Sequence, residues 1–151
     1  MAARKAGTDE PLTPMIGALL RLPHEAVVGR LMEALRRAGL ELSLTELGVF
    51  LFPGPEGRRP SDLARQCGMT RQAMNYVLSG LEAKGHLQRH DADTPNGRVV
   101  RVTERGRQVI RILRAEVRHI EQEWAGYLGR ARYGQLRDSL HDLAAWLGKL
   151  G

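Results

Sequence analysis

Arg71, Gln72 and Asn75 place a guanidinium and two planar amides at the start of one short stretch, residues 70–85, TRQAMNYVLSGLEAKG. Its apolar residues Ala73, Met74, Val77, Leu78 and Leu81 recur at helical spacing, which leaves Arg71, Gln72, Asn75, Tyr76 and Ser79 on the opposite face. A solvated helix face favours straight-chain Lys and Glu, which keep rotamer freedom and form i,i+4 pairs, whereas Asn and Ser are poor helix formers. The groups found here match base edges instead. Arg pairs bidentately with guanine, and Asn or Gln with adenine, in the major groove of a duplex. The face is read as a contact surface, with an unusual solvated face as the competing reading.

Other chemistry finds less support. There is no Gly-rich phosphate loop and no G-x-S-x-G, and the five histidines are scattered without a paired nucleophile, so the chain is not read as an enzyme. His86 and His90 are four apart on an expected strand beside Asp91, but no third and fourth ligand follow at metal spacing; no metal or other cofactor is expected. DADTPNG (91–97) opens like an EF-hand loop and then fails, with Pro95 at its fifth position, Asn96 for the required glycine and Val102 for the closing glutamate. Cys67, the only cysteine, excludes an internal disulfide and occupies an apolar helical position, which favours a core thiol over a redox switch. Arg107, Arg111, Arg114 and Arg118 line one helix face at 4,3,4 spacing, read as solvated in preference to a dock for an anionic effector.

The elements that position the contact face are mostly helices. Thr13-Pro14 offers a cap and a first-turn proline, and Met15, Ile16, Leu19, Leu20 and Leu22 lead to Pro23, which is expected to kink or restart the helix. A second run carries Val27, Val28, Leu31 and Leu35 to about Ala38, and Gly39 stops it. Ser43 with Glu46 forms a capping box for a short helix through Leu47, Phe50 and Leu51, ended by PGPEG (53–57). Pro60-Ser61 opens another, with Leu63, Ala64 and Cys67 inside it and Gly68 closing it in a left-handed conformation. Thr70 then caps the contact helix. Two short helices about a glycine turn make a helix-turn-helix, which leaves the first turns of the second helix projecting.

HLQRHDADTPNGRVVRVT (86–103) reads as two strands about an Asn96-Gly97 turn, with Val99, Val100 and Val102 on the return. A hairpin in this place is a wing, with Arg98 at the base of its tip and Arg89 on the outgoing strand. Thr103 caps a long helix whose Val109, Leu113, Val117, Ile120 and Trp124 run to about Gly126. A last helix carries Tyr133, Leu136, Leu140, Leu143, Leu147 and Leu150. Such narrow seams belong to helices that pack on one another or on a second copy.

Charge follows the motif. The chain has 151 residues and a net charge of +6, and residues 57–106 alone hold nine basic and five acidic side chains. A basic balance favours polyanionic partners. No apolar run reaches the roughly 18 residues of a membrane span, and MAARKAGTDE has no apolar core of a signal peptide, so the expected location is the cytoplasm, with no membrane partner.

PSDLARQCGMTRQAMNYVLSGLEAKGHLQR followed by NGRVVRVTERG resembles the winged helix-turn-helix of the MarR transcriptional regulators, over about residues 60–106. The shared marks are a small polar cap, a basic start to the recognition helix, an LE-x-x-G close and a Gly-Arg wing exit. The family often has Asp before that Gly-Arg, where Asn96 stands here. The resemblance implies a mainly α fold with a small β-hairpin wing: a flexible tail over 1–12, a winged helix-turn-helix DNA-binding lobe over 40–103, and a helical dimerisation region from 13–39 and 104–151. It implies a homodimer on a pseudo-palindromic operator in double-stranded DNA, acting as a repressor and released by a small aromatic or anionic effector.

Carried over residue by residue, it makes Thr70, Arg71, Gln72 and Asn75 the recognition-helix start, Ser61 a phosphate-contacting helix cap and Arg98 the wing arginine of the minor groove. Tyr76 and Arg89 complete the expected DNA-binding set. The expected dimer seam is Ile16, Leu19, Leu20, Val117, Ile120, Trp124, Leu136, Leu140, Leu143 and Leu147, and Met32, Phe50 and Phe52 are candidate effector lining. The alternatives are a non-specific architectural nucleic-acid binder using the same basic lobe, and a winged helix used only for protein contact.

Overall fold

A computed structural model of the chain describes residues 13–91 and 97–148. The expected N-terminal tail, the Asn96 half of the wing turn and Leu150 lie outside the described residues. The first apolar seam forms α1 (Ile16–Arg37), continuous through Pro23. The expected break does not occur there. Proline removes one N–H and crowds the carbonyl of Leu19, but this end of the helix is exposed and water can take the freed group. Met15, rather than Thr13, precedes the helix, and it makes no side-chain cap.

The next helices follow their caps. Ser43 and Glu46 close the capping box of α2 (Leu44–Phe50): the Ser43 hydroxyl accepts from the Glu46 amide at 3.2 Å and the Glu46 carboxylate from the Ser43 amide at 2.7 Å. The helix-turn-helix is α3 (Pro60–Gln66) and α4 (Arg71–Ala83). Gly68 turns between them at φ +64°, a conformation that a Cβ disfavours, and Met69 N–H closes on the Ala64 carbonyl at 2.8 Å. Thr70 accepts from the Ala73 amide at 3.1 Å and so caps α4 as expected.

β1 (Leu87–Asp91) and β2 (Arg98–Val102) pair antiparallel, Leu87 opposite Val102 and Asp91 opposite Arg98. Along the outer edge of β2 runs the segment after α2: Gly57 N–H donates to the Val100 carbonyl at 2.8 Å and Val100 N–H to the Arg58 carbonyl at 2.9 Å. Thr103 caps α5 (Glu104–Leu128), and α6 (Arg130–Trp146) returns after Gly129. Among the described residues no helix is long and apolar enough to cross a membrane.

One apolar cluster joins Leu31 and Leu35 of α1, Leu47 and Val49 of α2, Leu63 of α3, Met74, Leu78 and Leu81 of α4, the hairpin's Leu87 and Val100, and Val109 and Leu113 of α5. α1 lies along α5, where Arg30 pairs with Glu116 and Glu123. This packing corrects part of the expected seam. Ile120 is only 3% exposed and Val117 packs against the core within this one chain, with α1 and α6 both packed on α5. Trp124 is half-buried, and no α6 residue is buried. Leu136, Leu140, Leu143 and Leu147 are exposed, as are Ile16, Leu19 and Leu20 at the start of α1.

At Gly106, in the first turn of α5, an added Cβ would stand 2.2 Å from the His86 carbonyl oxygen and 2.7 Å from the Val102 side chain. Backbone cannot yield there without separating α5 from the hairpin. Gly106→Ala should lower stability by about 2–3 kcal/mol, despite the helix propensity of alanine. Chemical denaturation measures it; an unchanged or raised midpoint would mean that the junction is looser than described.

Candidate nucleic-acid interface

Burial of Met74, Leu78 and Leu81 turns the opposite face of α4 outward, so that Arg71, Gln72, Asn75, Tyr76 and Ser79 are all exposed. The far end of the helix is pinned: Lys84 Nζ donates to the Glu46 carboxylate at 2.7 Å and to the Glu41 carbonyl at 3.2 Å. Burial pushes the Glu46 carboxyl up, but the Lys84 ammonium and the Ser43 amide outweigh it and hold the group below the usual carboxylate range.

Ser61, Arg71, Asn75 and Arg98 converge on one cleft of about 310 Å³, bringing α3, α4 and the wing together. Arg59, Pro60 and Gly97 complete its wall. Arg59 is not distinguished by helical spacing; its one signal is the Arg58-Arg59 pair immediately before Pro60. Ser61 is corrected in position. Arg59 stands at the N-cap of α3 without a side-chain cap bond and Pro60 begins the helix, so Ser61 is its second residue. Gln72 and Tyr76 lie on the other flank of α4, where with Thr70, Thr45 and Ser79 they line a wider groove against α2, about 850 Å³.

Arg89 is not on the outer surface. Its guanidinium closes on Glu82 at 2.5 Å and on the Ser79 hydroxyl at 2.9 Å, its backbone N–H donates to the same carboxylate at 2.8 Å, and the side chain is 19% exposed. The residue fastens β1 to α4 rather than presenting a charge. The Arg89 hydrogen bonds hold the Glu82 carboxyl below the usual range, against the effect of burial.

The two histidines are kept apart. His86 is buried against Phe50, ring edge to face at 6.3 Å, whereas His90 is exposed and meets Gln88 at 3.2 Å. Burial, and then the charge of Arg105, push the His86 pKa down. Cys67 is half-buried at the end of α3, and burial pushes its thiol up. No group of three His, Cys, Asp or Glu among the described residues could hold a metal ion.

The arginine face of α5 divides in two. Arg107 and Arg111 both pair with Glu104, at 2.9 and 3.0 Å. Arg114 and Arg118 instead line a cavity of about 470 Å³, with Arg137 of α6, Phe50, Phe52, Leu31, Ile110, Leu113 and Val117. Met32 packs against the core and is not part of this lining.

A helix-turn-helix with its wing, set between long terminal helices, is the arrangement found when the chain is compared with known proteins. The model described as the MarR family matches residues 40–98. Solved structures extend the likeness to the flanking helices. The MarR-family protein Rv2887 of Mycobacterium tuberculosis, in complex with salicylic acid, is 26% identical over 87% of this chain and 98% of its own, with a TM-score of 0.61. The same protein in complex with DNA gives 25% identity over the same shares and a TM-score of 0.62. CouR of Rhodococcus jostii RHA1, bound to p-coumaroyl-CoA, is 23% identical over 86% of this chain and 91% of its own, with a TM-score of 0.64, and shares the fold. No curated protein matches the sequence significantly. The chain thus has the fold of MarR-family transcriptional regulators.

The tie between Arg89 and Glu82 sets a pH dependence. Glu82 has a lowered folded-state pKa, so its contribution is complete above the ordinary carboxylate range and is lost as pH falls through the folded value. Arg89→Ala should cost about 1–2 kcal/mol at pH 7, and the gap to wild type should close in acid. Urea melts of both proteins across pH test this; a gap that stays constant into acid would break the assignment.

Proposed function

We propose that the protein is a sequence-specific, double-stranded DNA-binding transcriptional regulator, acting as a homodimer on a pseudo-palindromic operator, as a repressor, and released by an anionic aromatic small molecule. The carrying observation is the single cleft shared by Ser61, Arg71, Asn75 and Arg98 from three separate elements. Arg71 and Asn75 read base edges in the major groove, Gln72 and Tyr76 extend that reading along the second flank of α4, and Ser61 and Thr70 take phosphates. Arg98 enters the neighbouring minor groove. Rv2887 in complex with DNA supports this use of the fold.

The exposed apolar residues of α6 and of the start of α1 support dimerisation, with residues 13–39 and 104–151 as the dimer region around a lobe at 40–103. Two recognition helices about a two-fold axis then meet half-sites roughly 10 bp apart, centre to centre. The cavity under Phe50 and Phe52 offers an apolar wall for a ring and three arginines for an anion. An occupant that favours one separation of the lobes by a few kcal/mol shifts DNA occupancy. The salicylic acid and p-coumaroyl-CoA complexes of Rv2887 and CouR support this ligand class.

The net charge of +6 favours the second reading, a basic protein that binds any duplex. Anisotropy with fragments flanking the protein's own gene, against excess random duplex at two salt concentrations, separates the two. The regulator reading expects one short inverted repeat to be retained against competitor, and weakened by about tenfold or more in Asn75→Ala and in Arg98→Ala. Salicylate should release it, and Arg118→Ala should blunt that release. Equal loss of every fragment as salt rises would leave only the non-specific binder.

A further inference from the structure

β2 is an edge strand, and its outer edge is satisfied in an unusual way. The Val100 N–H and carbonyl are taken by backbone, the Arg58 carbonyl at 2.9 Å and the Gly57 amide at 2.8 Å. One residue pair further on, at Val102, the neighbouring backbone is replaced by side chains. Val102 N–H donates to the Glu56 carboxylate at 2.7 Å, and the Val102 carbonyl accepts from the Arg107 guanidinium at 3.0 Å. The other Glu56 oxygen accepts from Arg101 at 3.1 Å. Glu56 thereby acts as one more strand residue, holding β2 at the end where the hairpin leaves the body of the protein.

From this we infer that Glu56 is a positioning residue for the wing, acting on DNA through Arg98 without touching it; the inference rests on the DNA reading above. A two-stranded hairpin has little stability of its own, and its direction is set by whatever grips its base. Here the grip on the outer edge comes from residues 56–58, and Arg98 lies on the same strand, two residues beyond Val100. A carboxylate accepting from an amide makes a stronger bond than a neutral acceptor, which suits it to a position where no backbone carbonyl is available. An exposed ion pair such as Glu56 with Arg101 adds little by itself, so the bond to Val102 is the one that matters.

The test is a binding cycle on the operator with Glu56→Ala, Arg98→Ala and the double variant, joined by two conservative changes. Glu56→Gln keeps an oxygen that can accept from Val102, and Glu56→Asp keeps the charge but shortens the reach. Glu56→Ala and Glu56→Asp are expected to weaken binding by about five- to tenfold, Glu56→Gln to restore it, and the double variant to bind no worse than Arg98→Ala alone. Amide exchange at Val102 should quicken in the same two variants. Binding by Glu56→Asp at the wild-type level, or losses that multiply in the double variant, overturns the inference while the DNA reading stands. If Arg98→Ala itself binds as wild type, the wing reading fails and takes this inference with it. Should Glu56→Ala not fold, the Glu56→Asp arm decides alone.

Discussion

The outward face of α4 exists because its inward face is buried. Met74, Leu78 and Leu81 are fully buried in the common core, where α4 packs on α3, α2 and the hairpin, and each such side chain is worth about 1.5–3 kcal/mol of burial. That stripe fixes the rotation of the helix about its own axis. With a period of 3.6 residues, Arg71 and Asn75 can then only face the wing side, and Gln72 and Tyr76 only the α2 side. Thr70 and Lys84 add ties at the two ends, so neither sliding nor fraying frees the first turn.

The wing depends on the same body through three unlike grips. Glu82 of α4 holds Arg89 from one side, residues 56–58 hold the outer edge of β2, and Gly106 of α5 is pressed against the His86 carbonyl at the hairpin's root. The third tolerates no Cβ, whereas the first two are polar and directional. Burying a charge pair usually returns little net stability. The Arg89–Glu82 pair is better understood as specifying one orientation of β1 on α4 than as a source of folding energy.

Much of this was legible in the sequence wherever a local rule sufficed. The Ser43–Glu46 capping box, the Thr70 and Thr103 caps, the Gly68 turn and the strands around Gly97 are short-range patterns, and the structure has each of them. Partner choice was not legible. Arg89 reads as an exposed cation on a strand, and only its position beside α4 shows that Glu82 claims it. Ile120 continues an apolar stripe that fits a second copy equally well, until the folded chain is seen to bury it by itself. Glu56, in a proline-glycine loop, carries no periodic signal at all. Pro23 misleads for the opposite reason: the rule against helix-interior proline weakens where solvent replaces the lost bond.

α5 belongs to both halves of the molecule. Its first turn is the Gly106 contact, its middle supplies Arg114 and Arg118 to the cavity, and its later turns carry the buried Ile120. The segment 51–56 is shared in the same way, lining the cavity with Phe52 and Glu56 before it joins the edge of β2. Close-packed interiors transmit displacement rather than absorb it. Leu31 of α1, Phe50 of α2 and Arg137 of α6 complete the cavity wall, and it is the two sides formed by α5 and by residues 51–56 that adjoin the root of the hairpin and its outer edge.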